Sequence, residues 1–130
     1  MSWQAYVDQS LVGTGNIDKA IICDASGKTI WAASPGFSIP DAERQVIVNS
    51  FTDKSPIKHV VENGVYINGE KYMTIESTDD SLKTKKGKEG VIVIKTTQAL
   101  LIGHHPAEVQ TTNAYSSVAE LAEYLMKVGY

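Results

Sequence analysis

The spacing of apolar residues changes several times along the chain, and each change marks an element. Near the start, Val7 and Leu11 fall close together on a helix wheel, with Trp3 and Tyr6 on the neighbouring side. This predicts a helix over residues 2–12, capped by Ser2 and ended by Gly13-Thr14-Gly15. KAIICDA and KTIWAA then read as strands joined at Ala25-Ser26-Gly27. Residues 21–23 are apolar on both alternating faces, as in a strand covered on both sides. IPDAERQVIVNSF predicts a helix with Pro40 in its first turn and Ala42, Val46 and Phe51 in the core.

From Val60 onward the pattern is one of hairpins. Asn68-Gly69 joins VYI to KYMTIES and is the strongest short turn signal in the chain. The polar stretch TDDSLKTKKGKEG reads as a charged turn leading to two adjacent strands, VIVIKT and ALLIGHH. Residues 113–128 predict a helix with Val118, Leu121, Ala122, Leu125 and Val128 along one stripe, stopped by Gly129. The expected fold is α+β (mixed): a central antiparallel β-sheet meander, with N- and C-terminal helices packed on one face and shorter helices on the other. Residues 1–130 form a single domain, without internal repeats.

Composition narrows the function. A length of 130 residues suits one domain with a real core. A net charge of −3 argues against a nucleic-acid partner, which usually meets a basic face. Apolar runs such as VIVI and ALLIG are too short to span a bilayer, and the first residues lack the pattern of a secretory signal. Cys23, the only cysteine, sits among apolar neighbours and reads as a buried thiol in a reducing cytosol.

Chemistry-bearing motifs are sparse. Gly13-Thr14-Gly15 lacks the following lysine of a phosphate loop. Adjacent strand residues such as His104 and His105 point to opposite faces and do not readily share a metal, and His59 has no obvious ligand partner nearby in sequence. The expectation is a protein with no catalytic residues, metal or cofactor.

The aromatic residues are more informative. If the terminal helices share a sheet face, Trp3, Tyr6, Trp31, Tyr124 and Tyr130 can converge there. Rings with polar tips suit a groove for a proline-rich peptide, whose polyproline II shape costs little entropy to fix. Spacing alone does not separate this from aromatics that brace a core.

Ser2-Trp3-Gln4-Ala5-Tyr6-Val7-Asp8 resembles the N-terminal signature of the profilin family. The resemblance continues through LVGTGNIDKAIICDASGKTIWAAS, NGEKYMTIES, KEGVIVIKTTQALLIGHHP and LAEYLMKVGY, in order and over nearly the whole chain. It implies a monomeric, cytoplasmic protein of the cytoskeleton that binds monomeric actin and regulates its polymerisation. Such a protein keeps monomers from nucleation and pointed ends and delivers them to barbed ends. It also docks proline-rich proteins such as formins in a groove between the terminal helices. The matching groove positions are Trp3, Tyr6, Trp31, Tyr124 and Tyr130, with Leu125 as a supporting wall. The matching actin positions are Lys71, Met73 and Ile75 on a strand and Tyr115, Ser116 and Glu120 on the last helix.

Lys83, Lys85, Lys86 and Lys88 resemble a basic loop that binds phosphoinositide membranes in some profilins. Glu76 departs from the family pattern, standing where many relatives carry a basic residue, and Asp79-Asp80 adds negative charge. A second reading follows from that departure: a polyproline-recognition adaptor with weakened actin binding.

Overall fold

The computed structural model describes residues 2–130. Helix α1 begins with an α-turn at Trp3–Ala5, capped by the Ser2 hydroxyl, which accepts from the Ala5 amide at 3.1 Å. It continues as a π-helical stretch at Tyr6–Leu11 and closes with a 3-10 turn at Val12–Thr14. The remaining elements are β1 (Lys19–Asp24), β2 (Ile30–Ala33), α2 (Asp41–Ser50), α3 (His59–Asn63), β3 (Val65–Ile67), β4 (Glu70–Ser77), β5 (Ser81–Lys86), β6 (Glu89–Lys95), β7 (Ala99–His105) and α4 (Thr111–Lys127).

Seven strands form one antiparallel sheet in the order β2-β1-β7-β6-β5-β4-β3. Strands β3 to β7 run as a meander, and the β1–β2 hairpin adds to the free side of β7. The β3–β4 turn places Asn68 at φ 53° and Gly69 at φ 80°, the left-handed pair that a tight hairpin requires. The Glu43 carboxylate on α2 accepts from both turn amides and holds the hairpin to that helix.

Period-two alternation divides the strands between two cores. Ala20, Ile22, Ile92, Ile94 and Leu101 face α1 and α4, meeting Val7, Leu11, Val118, Leu121 and Leu125. Ile21, Cys23, Val91, Val93, Leu100 and Ile102 face the other way, meeting Ile47 and Phe51 of the α2 region and Val60 of α3. The terminal helices therefore share one face and the shorter helices cover the other. Burial pushes the Cys23 thiol up to about 12, so it is an inert core group.

Three expectations are corrected. Ala42 and Val46 are exposed, and the inward stripe of α2 is Arg44, Ile47 and Ser50. The consecutive Val46-Ile47-Val48 leave the helix phase ambiguous, and Arg44 settles it by donating inward to the carbonyls of Gly27 and Ile39. Val128 is also exposed, because it lies beyond the last turn of α4, where the chain reverses. Finally, residues 81–86 are strand rather than turn: Leu82 and Thr84 alternate inward, and Lys83 pairs with Ile92 across the sheet.

Arg44→Ala should cost about 1–3 kcal/mol, since it leaves buried carbonyls without donors. Arg44→Met, which keeps bulk without donors, should fall similarly in urea melts. Wild-type stability in the Met variant would show that packing alone matters at this position.

Candidate functional site

The five aromatic positions come together. Trp3 and Trp31 have ring centroids 4.6 Å apart, Trp3 and Tyr6 5.6 Å, and Tyr6 and Tyr124 6.3 Å. Tyr130 stands edge-on to Trp3 at 5.1 Å and to Trp31 at 6.4 Å. Three of these pairs are tilted and the two made by Tyr130 are edge-on, an arrangement that is favourable for aromatic pairs. They do not close the rings off from solvent, and Tyr124 remains 50% exposed. Leu125 is buried in the core cluster against which Trp3, Tyr6 and Trp31 pack.

Local geometry explains the convergence. In α1 the π-helical register gives Val12 a hydrogen bond to the Val7 carbonyl, five residues back. At the other end, Gly129 adopts φ 99°, so the chain doubles back and the Tyr130 amide donates to the Leu125 carbonyl at 2.8 Å. The β6–β7 turn holds this reversal. The Gln98 amide and Thr96 hydroxyl donate to the Tyr130 backbone oxygen at 2.6 and 2.7 Å. Gln4 donates to the Ala33 carbonyl at 3.0 Å, fixing α1 to the sheet edge beside Trp31. Partial burial, followed by the neighbouring Tyr124 and Tyr130 phenols, raises the Tyr6 pKa, so its hydroxyl stays a neutral donor.

A second surface lies on the same sheet face, beyond the part covered by α4. Tyr72 enters the opposite core, so Lys71 and Met73 point outward. Ile75 is the extra residue of a bulge between Thr74 and Glu76. Met73 and Ile75 are each 54% exposed, and Tyr66, opposite Lys71 on β3, is 53% exposed. Three large apolar side chains left open on one sheet region suggest a partner surface.

The bulge also places Glu76 opposite Lys83, and the two form an ion pair at 3.3 Å. The Lys83 ammonium lies 4.2 Å from the Tyr115 ring centroid, linking β4 and β5 to α4. Tyr115 is thus half-buried at this junction, while Ser116 and Glu120 are exposed on the helix. Tyr66 and Lys83 were not assigned to this surface from sequence. Exposed apolar residues on a short edge strand were the available signal for Tyr66; nothing in the sequence revealed the bulge that recruits Lys83.

The lysine cluster is divided rather than continuous. Lys83 belongs to the junction just described, and Lys86 pairs with Glu70 at 2.7 Å. Lys85 and Lys88 line a separate hollow with Thr111 and Thr112. The two histidines are separated as well. His104 lies between Asp18 and Glu89 at 2.6 and 3.0 Å, whereas His105 meets the Thr111 hydroxyl at 3.2 Å.

The Profilin family model matches residues 1–130. Profilin-A of Physarum polycephalum is 43% identical over 130 residues, covering 100% of both chains. The crystallised Schizosaccharomyces pombe profilin has a TM-score of 0.92 at 40% identity, covering 99% of this chain and 100% of its own. Mouse profilin IIa, solved in complex with a double repeat from the FH1 domain of mDia1, shares the fold at a TM-score of 0.79 and 22% identity, with 100% of each chain covered. With its two helices on one sheet face, its ring cluster and its full-length match, the chain belongs to the profilin family.

Proposed function

We propose that the protein binds monomeric actin and regulates its polymerisation, while docking proline-rich partners such as formins in the ring-lined groove. The whole-length family match carries this reading, and the convergence of the five rings supports the groove. The chain of ring centroids, spaced 4.6, 5.6 and 6.3 Å, spans at most roughly five residues of a polyproline II helix at about 3.1 Å per residue. Its role is binding rather than catalysis, in the cytoplasm and at the cytoskeleton.

Actin is assigned to Lys71, Met73, Ile75, Tyr115, Ser116 and Glu120, extended by Tyr66 and Lys83. The strand residues of this surface stand towards the β3 edge of the sheet and Trp31 stands on β2 at the opposite edge, with Glu120 of α4 at the border between the two sites. Glu76 motivates the adaptor reading, but its pairing with Lys83 means that it does not present an isolated negative charge. Titrating monomeric actin with the protein in physiological salt should delay spontaneous assembly in a dose-dependent way. No delay from a folded protein that still binds polyproline would favour the adaptor.

Phosphoinositide binding is assigned to Lys85 and Lys88, with Lys83 and Lys86 held by their acidic partners. Each lysine near an anionic membrane contributes about 1 kcal/mol, so two support only weak attachment. Reversing both charges, Lys85→Glu with Lys88→Glu, should remove sedimentation with phosphoinositide vesicles. An equal loss on neutralising Lys86 alone would contradict this division of the cluster.

A further inference from the structure

The groove continues past Tyr124. Between α1 and α4 it opens into a cavity of about 370 Å³ lined by Tyr6, Ser10, Ser117, Glu120, Leu121 and Tyr124. Its walls combine two phenol rings and a leucine with two hydroxyls and a single carboxylate. The Ser117 hydroxyl accepts from the Asn16 amide at 3.0 Å, which leaves its own proton available to a peptide carbonyl. Glu120 is exposed and takes part in none of the ion pairs among the described residues. The lysine nearest in sequence, Lys127, is turned to Glu123 at 3.8 Å. No cation lines the cavity.

A run of prolines offers nothing to a carboxylate. It presents apolar rings and carbonyl acceptors, and neither uses the negative charge of Glu120. A basic side chain complements the whole lining. Its methylene stem lies on Leu121 and the phenol rings, its charge favours the ring faces, and its head reaches the carboxylate.

We propose that this end of the groove selects proline-rich peptides carrying an arginine or lysine beside the proline run, with Glu120 as the residue that reads it. The proposal rests on the groove being the polyproline site and adds a charge preference to it. It also gives Glu120 a role at the groove, on the edge of α4 next to the actin surface.

The test uses end-capped decaproline, the same peptide with arginine added at either end, and glutamate counterparts. Binding of labelled peptides to wild type and Glu120→Gln is followed by fluorescence anisotropy. Arginine at one of the two ends should tighten binding to wild type roughly two- to five-fold over decaproline, the range of a solvent-accessible ion pair. Glutamate at that end should weaken it. The ratio between arginine peptide and decaproline should fall towards one in Glu120→Gln and in raised salt. No gain with arginine at either end, or the same gain in Glu120→Gln, would overturn the proposal. Failure of wild type to bind decaproline would instead remove the groove assignment beneath it.

Discussion

Trp3→Ala is expected to abolish retention on a polyproline resin, a loss of at least about thirtyfold in affinity, as for a central aromatic anchor worth roughly 2 kcal/mol or more. Trp3 is the hub of the groove, touching Trp31 at 4.6 Å, Tyr130 at 5.1 Å and Tyr6 at 5.6 Å. Removing it deletes one peptide contact and lets three others relax. Actin-assembly delay should persist, because Lys71, Met73 and Ile75 stand on β4, near the sheet edge opposite to β2 and Trp31. Trp3 is partly buried, and truncating a tryptophan that is fully buried costs about 3–5 kcal/mol, so a thermal melt must accompany the binding assay. Tyr124→Ala provides the control: half-exposed Tyr124 supports little of the core, and its loss should weaken polyproline binding in a protein that melts normally. Normal retention of both variants would remove the rings from the binding site.

Met73→Asp should have the opposite signature. The Met73 side chain stands open beside Lys71 and Ile75, so the free protein tolerates a carboxylate there. In a closed interface the same carboxylate would be desolvated without a partner, which is far costlier than losing the methionine contact. Actin affinity should drop at least about thirtyfold, on the scale of an interface hot spot, and the delay in assembly should vanish while decaproline binding stays intact. If Met73→Asp delays assembly as wild type does, the actin surface lies elsewhere. Tyr66→Ala tests the added edge residue: a weaker delay places β3 in the contact, and an unchanged one removes it.

Much of the fold was legible because its signals are local. Asn68-Gly69 marked its hairpin, the continuous apolar runs in VIVIKT and ALLIGHH marked two central strands, and the stripe from Val118 to Leu125 marked the final helix. Reading failed where local signals were degenerate. Three consecutive β-branched residues at 46–48 could not set the phase of α2, which the buried Arg44 settles through carbonyls outside the helix. Lysine density obscured β5, whose only buried apolar residue is Leu82, alongside the buried polar Ser81 and Thr84. The bulge at Ile75 shifts the register of β4 against β5 and puts Glu76 on the face of Lys83.

The sequence by itself determined the family, the two-sided central strands and the identity of the five rings, because residue type and short-range spacing suffice for those. Only the tertiary structure decided what the rings and charges do together. Tyr130 reaches Trp3 because Gly129 reverses the chain and Thr96 and Gln98 hold its backbone, contacts that join residues more than thirty positions apart. Sheet register decided which lysines remain free, and helix packing decided that Glu120 borders the groove. The physical reason is the same in each case: a helix or strand signal lies in neighbouring residues, whereas a binding surface is assembled from distant ones through hydrogen bonds and packing.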